Sequence, residues 1–271
     1  MNLHQSFTEK FEVLKKQIKR QIPRMAIVRN VLGWWGLYNC VTQSSFKFQH
    51  IVQMYMLTHY NQDYREHLVL SLKQDPVAAE LIRKKILINS DIQDLVHCRE
   101  GSLGHTYAHF IQKNKIKPLI GVKDLKFYQD FHYIAHRLVC SHDIYHVVLK
   151  ANTRVDGEGI VAGFTMAQIP SYVPPVVTTS AGLLKAATSN EHLVDFGLAN
   201  IILGWLLGKS SNQLFNVNWD DMWDKPLEEV RQACKINYQH IEKNLLNLHN
   251  PGIPLELTQR PQKLTKDSKH E

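Results

Sequence analysis

The sequence predicts an all-α protein, a single helical domain of roughly ten helices. Apolar residues recur at spacings of three and four, as at Phe7, Phe11, Leu14 and Ile18. Residues that start and end helices separate these segments, and no alternating pattern is long enough to propose a sheet. The chain has 271 residues, of which 44% are hydrophobic and 21% are charged, so it resembles a soluble protein that can bury a sizeable core.

The N-terminal part of the chain predicts helices of its own, and we divide the sequence into residues 1–60, a helical core at 61–250 and a polar tail at 251–271. The N-terminal helices are expected at Leu3–Ile22, Ile27–Val41 and Ser45–Tyr60. Pro23 ends the first of them, because proline disfavours a helical conformation in the residue before it. No linker rich in Gly, Ser or Pro separates these parts, so we expect one globular domain overall.

The core predicts helices bounded by recognisable caps and breaks. They are expected at Tyr64–Lys73, Pro76–Ile86, Asp91–Cys98, Gly101–Lys113, Asp124–Lys150, from Gly159 to Ile169, and at Ala181–Ala187, Glu191–Leu207 and Leu227–Leu246. Asp75 before Pro76 is typical of a helix start, and Ser90 and Asp124 are further cap candidates. Pro170–Pro175 predicts a break. The apolar run Phe196–Gly208 is shorter than a membrane span requires, so we interpret it as a buried helix.

Charge and cysteine content indicate which partners and which cellular compartment suit this protein. A net charge of +7 suits nucleic acid, an anionic membrane surface or a phosphorylated ligand. No nucleic-acid-binding motif accompanies it, so we expect no nucleic-acid partner. The cysteines are Cys40, Cys98, Cys140 and Cys234. With no secretory signal before them, they predict reduced thiols in an intracellular protein. Glu9 and Glu12 argue against a mitochondrial presequence and favour a bacterial or cytosolic chain.

A possible metal site stands at the end of the helix predicted from Asp124. The apolar stripe of that helix runs through Phe127, Phe131, Ile134 and Leu138. The same spacing continues onto His142 and His146, with Asp143 beside them. Burying these polar groups without partners costs several kcal/mol, and one metal ion would satisfy all three. Glu158 could return to the site as another ligand beyond a turn at Gly157.

Two other interpretations of these residues remain open on spacing alone. His142 and His146 could be hydrogen-bonded core histidines, with Asp143 paired to Arg137 or Lys150. The adjacent His-Asp pair also fits a helical metal-dependent phosphohydrolase, which needs further ligands from distant helices. The histidines available for that role are His97, His105, His109, His132, His136 and His192.

The segment SHDIYHVVLKANTRVDGEG contains H-D-x-x-H followed by eleven residues and Glu, and it resembles the signature of the coenzyme Q biosynthesis protein 4 family. GSLGHTYAHF at Gly101–Phe110 is similar to another segment of that family, and Gln168 matches a family glutamine. The closing region carries Gly204, Gly208, Trp219, Asp224, Pro226, Leu227 and Arg231 in the family's order. The resemblance extends over roughly Asp75–Ile236.

The resemblance implies an all-helical homodimer that holds a divalent metal, with His142, Asp143, His146 and Glu158 as both its ligands and its catalytic residues. Zn²⁺ is the usual metal, with Mg²⁺, Mn²⁺ or Fe²⁺ as alternatives. It also implies a prenylated lipid substrate and peripheral attachment to the cytoplasmic membrane, or to the matrix side of the inner membrane in a eukaryote. The implied activity is decarboxylation and hydroxylation at C1 of a prenylated 4-hydroxybenzoate. The alternative is a scaffold that organises the other biosynthetic enzymes.

One position departs from the resemblance. Lys150 stands where many members of the family have glycine. A lysine there could bind a substrate carboxylate or an acidic lipid head group, or it could point to solvent. The sequence shows no flavin, haem or iron–sulfur motif, so the metal or molecular oxygen would have to supply any oxidative chemistry.

Overall fold

The fold is known here from a computed structural model, which describes residues 31–39, 41–42, 62–121, 127–189 and 192–239. The chain divides into two compact units, Met1–Gln62 and Asp63–Glu271. In the first unit, residues 31–39 are helical, which agrees with the helix expected there. The predicted helices Leu3–Ile22 and Ser45–Tyr60, the tail at 251–271 and Cys40 lie outside the described residues.

The rest of the described chain is mainly helical, and the all-α prediction is confirmed. The helices are α1 (Gln62–Leu72), α2 (Pro76–Lys84), α3 (Ile92–Leu95), α4 (Leu103–Asn114), α5 (Asp130–Val148), α6 (Val155–Gln168), α7 (Pro174–Ser189), α8 (His192–Ser210) and α9 (Leu227–Ala233). Two short 3₁₀ turns precede α9, at Leu214–Asn216 and Trp219–Asp221. No strand occurs among the described residues; an isolated bridge joins Ser102 and Pro226.

Helix α5 runs through the middle of the Asp63–Glu271 unit and contributes to two hydrophobic clusters. Its first half, with Phe131 and Ile134, packs in a cluster with Leu68 and Ile82 from α1 and α2. Its second half packs in the other cluster, whose members include Leu103, Tyr107, Ile144, Val148, Phe164 and Trp219. Burial on both sides holds α5 in place along its length, and α5 carries the two histidines of the candidate site.

Arg137, which is buried in the middle of α5, ties that helix to two neighbouring loops. Its guanidinium donates hydrogen bonds to the backbone carbonyls of Ile86, Phe215 and Val217 at 3.1, 3.1 and 2.6 Å. A buried arginine is tolerated because these carbonyls accept its protons. The possible pairing of Arg137 with Asp143 is therefore not observed.

Helices α6 and α8 pack against each other unusually closely through glycine. A Cβ atom on Gly163 would lie 2.1 Å from the backbone oxygen of Ile201, and one on Gly204 would lie 2.0 Å from that of Ile160. No side chain fits at such separations, so glycine is required for the two backbones to approach. Because α6 carries Glu158, this contact helps to set the position of that carboxylate.

Two predicted helix boundaries near the site were wrong. Helix α6 begins at Val155 rather than after Gly159, so Glu158 lies within its first turn. Helix α5 begins at Asp130 rather than Asp124. In the first case the glycines were interpreted as a turn, whereas the close approach of neighbouring backbones is what requires them.

Further corrections concern prolines and caps. The break predicted at Pro170–Pro175 ends earlier, because α7 begins at Pro174. Proline is tolerated in the first turn of a helix, since the N–H group that it lacks would have no intrahelical partner there. Helix α9 ends at Ala233 rather than near Leu246, and Lys235 then takes a left-handed φ of 56°. Asp91, and not Ser90, caps α3, while the predicted cap of α2 by Asp75 is confirmed.

The prediction that Phe196–Gly208 is a buried helix was also wrong. Helix α8 is 19 residues long, and its segment Leu193–Ser210 is long and apolar enough to cross a membrane by length and composition, yet only 17% of that segment is buried. The glycine side of α8 is covered by α6, whereas Leu198, Ile202 and Trp205 are exposed. Trp205 is therefore not a core residue, although Trp219 is.

Candidate metal centre

Three side chains from two helices converge at the end of α5. His142 Nε2 and His146 Nε2 lie 3.2 Å apart, one helical turn from each other. Glu158 reaches them from the first turn of α6, with one carboxylate oxygen 3.3 Å from His142 Nε2 and the other 3.4 Å from His146 Nε2. The structure thus brings together three of the four residues predicted from the sequence.

These three short contacts cannot all be hydrogen bonds between neutral imidazoles and a carboxylate. If each histidine donates its Nε2 proton to Glu158, two N–H groups face each other across 3.2 Å. A cation between the groups removes this conflict, because all three then present lone pairs. For metal–nitrogen distances of about 2.05 Å, the ligands of a tetrahedral zinc ion lie about 3.3 Å apart. The 3.2 Å between the two Nε2 atoms is close to that value, and Glu158 brings one oxygen toward each histidine.

The site is buried on one side and open on the other. The side chain of His146 is 1% exposed, whereas those of His142 and Glu158 are 42% and 48% exposed. The ring of Phe110 in α4 stacks on His146, with centroids 5.8 Å apart. His146 Nδ1 is buried and has no hydrogen-bond partner among the described residues, which leaves Nε2 as the nitrogen that faces the cluster. Solvent or a substrate can reach the centre from the side of His142.

Without an ion, the electrostatics of the site favour an ionised Glu158 beside a protonated His142. Burial by itself would raise the pKa of Glu158, but the hydrogen bonds and charges of His142 and His146 outweigh it and hold that pKa far below its usual range. Burial likewise opposes a charged His142, yet Glu158 and then Asp143 raise the pKa of this histidine. The carboxylate and the two imidazoles therefore stabilise one another, and a divalent cation could replace the protons.

Asp143 lies beside the cluster but is not among the ligand atoms that converge. The converging group consists of His142, His146 and Glu158, whose atoms all lie within 4.8 Å of one another. Burial raises the pKa of Asp143, against the charges of the two histidines. Of the alternative partners, Lys150 pairs with Glu228 instead, at 3.5 Å. The role of Asp143 as a fourth ligand stays a prediction.

The loop before α6 explains how Glu158 returns to the histidines. A Cβ atom on Gly157 would lie 1.9 Å from the backbone oxygen of Asn152, so only glycine lets the first turn of α6 pack on this loop. Asn152 accepts a hydrogen bond from Arg154 N at 2.7 Å and donates one to Asp156 at 2.8 Å. Gly157, which precedes Glu158, thus packs against a turn that the hydrogen bonds of Asn152 stabilise.

The end of α5 explains why glycine suits position 150. Lys150 has a left-handed φ of 50°, a conformation that glycine adopts without strain. Its side chain is largely exposed and pairs with Glu228. Arg231 also contacts Glu228 and donates to the carbonyls of Val147 and Val148 at 2.8 and 2.9 Å, which satisfies acceptors at this helix end.

Two neighbours of the site escaped sequence reasoning. Phe110 was not singled out, although it lies in the segment GSLGHTYAHF. Tyr107 is fully buried, but its hydroxyl has no partner among the described residues. Burial, and then the charge of Asp143, raises the pKa of that phenol. Helical spacing indicates burial and gives no sign that a hydroxyl group is left without a partner.

Other residues matched their simpler interpretations. Ser102 is a plain N-cap of α4, because its side chain accepts a hydrogen bond from His105 N. The three described cysteines are free. Gln168 joins the end of α6 to the following segment by accepting from Leu214 N and donating to the Asn212 carbonyl. In the described part of the chain no further histidine joins the three-ligand cluster, so the distant ligands of the phosphohydrolase interpretation are not found there.

Comparison with known proteins agrees with the fold and the motif. A family profile for coenzyme Q (ubiquinone) biosynthesis protein Coq4 matches residues 46–240. The mitochondrial ubiquinone biosynthesis protein COQ4 homolog of Bos taurus is 26% identical over 61% of this chain and 63% of its own length. The mitochondrial COQ4 of Candida dubliniensis is 26% identical over 63% of this chain and 53% of its own length. The chain thus spans less than two thirds of the length of these relatives.

A crystal structure of a protein provisionally assigned to ubiquinone biosynthesis, from Nostoc punctiforme PCC 73102, has the same fold. The TM-score is 0.66 at 24% identity, over 77% of this chain and 98% of the other. The profile match includes α1 to α9 and all four predicted site residues. The chain therefore belongs to the Coq4 family of coenzyme Q (ubiquinone) biosynthesis proteins.

Proposed function

We propose that this chain acts in ubiquinone biosynthesis as a metal-dependent lyase that removes the C1 carboxylate of a prenylated 4-hydroxybenzoate and leaves a hydroxyl group there. The observation that carries the proposal is the convergence of His142, His146 and Glu158 at 3.2–3.4 Å. Zn²⁺ is the ion we propose, because two imidazoles and a carboxylate are ligands that suit it. Mg²⁺, Mn²⁺ and Fe²⁺ are the alternatives to be tested.

The chain's own residues would hold the ion and orient the substrate. His142, His146 and Glu158 are the ligands, and Asp143 is the predicted fourth. The bound ion would supply Lewis-acid stabilisation to a substrate oxygen. The open side of the site, at the half-exposed His142, is where the aromatic head group would enter. Phe110 and buried His146 form the closed side, from which water is excluded.

The exposed apolar surface of α7 and α8 supports a lipid substrate. Leu184 on α7 and Leu198, Ile202 and Trp205 on α8 are exposed, which is unusual for so many large apolar side chains. Helix α6 links this surface to the centre, because it carries Glu158 and packs on α8 through Gly163. The surface would take the prenyl tail and support peripheral attachment to the membrane.

The relatives guide the proposed location and partners. Those of Bos taurus and Candida dubliniensis are named as mitochondrial. For a eukaryotic chain we propose the matrix side of the inner membrane, and for a bacterial chain the cytoplasmic membrane. A homodimer and contacts with other ubiquinone biosynthesis enzymes complete the proposal. The second candidate function is a non-catalytic scaffold, which the uncovered surface of α8 favours.

The reaction requires an oxidant and a reductant besides the protein. Starting from the carboxylic acid, the carboxyl group leaves C1 as CO₂, and one atom of dioxygen enters the new hydroxyl group. The second oxygen atom leaves as water, with two electrons and two protons from an external reductant. Dioxygen and the reductant must therefore be present in any assay.

The test is release of labelled CO₂ from a carboxyl-labelled prenylated 4-hydroxybenzoate. The full chain is loaded with one candidate metal at a time and supplied with dioxygen, ascorbate as reductant and lipid vesicles. We expect turnover by the parent protein, loss of at least 100-fold in His146→Ala, and no loss in His132→Ala. A folded protein that retains the lipid and metal but never releases CO₂ would favour the scaffold.

A further inference from the structure

A second histidine pair lies on α4, away from the three-ligand cluster. His105 and His109 are one helical turn apart, and their Nε2 atoms are 3.1 Å from each other. The ring centroids lie 4.3 Å apart. His105 is half-buried and His109 is exposed. The separation of the two nitrogens resembles the 3.2 Å between those of His142 and His146.

The pair is held in position by the packing of its helix. The backbone N–H of His105 donates to the cap Ser102 at 3.2 Å, which fixes the start of α4. Tyr107, on the opposite side of the helix, and Ala108 are both fully buried. A ligand pair on a packed helix needs little ordering before it binds.

We propose that His105 and His109 chelate a divalent transition-metal ion at the protein surface. Without an ion, two neutral imidazoles facing through Nε2 can share one proton, and that bond is weak where water competes. An ion can approach from solvent without burying charge. Water would fill its remaining coordination positions, because the described residues bring no third protein ligand to this pair.

The chemistry of the pair selects the ion. Nitrogens 3.1 Å apart subtend an angle of about 100° at a metal about 2.05 Å from each, which an ion bound to both can accommodate. The affinity of nitrogen ligands for divalent ions rises through Ni²⁺ to Cu²⁺, whereas Mg²⁺ prefers oxygen. We therefore assign the site to Cu²⁺ most tightly, with Ni²⁺ next.

Equal spacing elsewhere in the chain does not give an equal pair. His132 and His136 are also four residues apart on α5. The ring of His136 lies against Phe127, and its Nε2 is 3.3 Å from Cys140 Sγ. Cys140 donates to the Leu119 carbonyl, and burial raises its pKa to about 11, so it remains a thiol. His132→Ala is therefore a matched control on an exposed histidine.

The experiment is calorimetric titration with CuCl₂ and NiCl₂. It uses the full chain with its three-ligand centre first filled by Zn²⁺, and it is repeated in the His142→Ala, His146→Ala double variant to silence that centre. In the double variant, where Cu²⁺ cannot displace Zn²⁺ from that centre, we expect one equivalent of Cu²⁺ to bind, about 10-fold more tightly than Ni²⁺. His105→Ala or His109→Ala should each weaken this site at least 10-fold, with helix content unchanged.

The controls decide between this pair and the other histidines of the chain. His132→Ala should leave the added equivalent and its affinity unchanged. Equal Cu²⁺ binding in the parent, His105→Ala and His109→Ala proteins would overturn the proposal, as would the absence of an added equivalent. The outcome is independent of the proposed lyase activity, because the readout is metal binding at a pair that does not belong to that centre.

Discussion

The two histidine pairs on α4 and α5 have almost the same internal geometry but different surroundings. Their Nε2 separations are 3.1 and 3.2 Å. The α4 pair faces solvent, whereas the α5 pair has a buried member and a carboxylate from another helix within 3.4 Å. Helical spacing can bring two imidazole nitrogens together, as on α4, but a carboxylate delivered by tertiary packing is what makes the α5 pair a candidate centre.

The return of Glu158 depends on glycines. Gly157 lets the first turn of α6 pack on the loop after α5, and Gly163 lets α6 approach α8. Among the described residues, no third ligand from another helix reaches the α4 pair. The following predictions remove the features that distinguish the two pairs, in order of decreasing expected effect.

The largest effect is expected from Glu158→Ala. This change leaves His142 and His146 in place but removes the third ligand, which makes the α5 pair resemble the α4 pair. We expect Zn²⁺ affinity to fall by about 1,000-fold, which corresponds to about 4 kcal/mol of binding free energy. Competition with a chromophoric chelator measures it. Unchanged affinity would mean that the carboxylate is not a ligand, and Glu228→Ala, at an exposed neighbouring carboxylate, serves as the control.

Gly163→Ala should have the next largest effect. The new Cβ would lie 2.1 Å from the Ile201 carbonyl oxygen, so α6 and α8 must separate. We expect the free energy of unfolding to fall by about 3 kcal/mol, as measured in urea. Gly182→Ala in α7 is the matched control, because the new Cβ meets nothing within 4 Å. This substitution should stabilise α7 slightly, since alanine favours the helix more than glycine does. Similar values for the two variants would argue against the close contact.

Arg231→Met tests how firmly the end of α5 is held. The change removes hydrogen bonds to the carbonyls of Val147 and Val148, which would then be buried without those donors. We expect a loss of about 2 kcal/mol in the free energy of unfolding by urea denaturation. Arg83→Met, at an exposed arginine of α2, should change it by less than about 0.5 kcal/mol. A smaller loss for Arg231 than for Arg83 would contradict this role.

Lys150→Gly should have the smallest effect, and it should be stabilising. Lys150 has a left-handed φ of 50° and Lys115, at the end of α4, has one of 54°. Glycine at either position should raise the free energy of unfolding by about 0.5–1 kcal/mol because it relieves this strain. Thermal unfolding of both variants measures it. Lys84→Gly, at the end of α2, should instead lower the free energy of unfolding. A lower free energy of unfolding in Lys150→Gly would show that the side-chain contacts of Lys150 outweigh its backbone strain.

The sequence predicted the helices of the core well because their signals are local. Asp75 before Pro76 and Ser102 before α4 are caps that act within a few residues. Prediction failed where contacts with distant parts of the chain determine a helix boundary or the burial of a helix. Pro174 begins a helix instead of breaking one, and the exposed side of α8 could not be inferred from its composition, since a buried helix and an uncovered apolar helix have the same residues.

The candidate site, like the fold, was predictable only where its signals lie close together in the sequence. The spacing of His142 and His146 within one helix indicates that both can face one ion, and the family resemblance pointed to Glu158. The spacing could not show whether Asp143 turns toward the same point, because that depends on a side-chain rotation. Nor could it show that Phe110 from α4 covers His146, since this contact joins residues distant in the sequence.

The most direct test of the account is an anomalous-scattering map at the zinc edge, from crystals of the full chain grown with one equivalent of Zn²⁺. We expect one strong peak about 2.1 Å from the Nε2 atoms of His142 and His146 and bonded to Glu158. A map with no peak there, or with zinc at His105 and His109 alone, would contradict it.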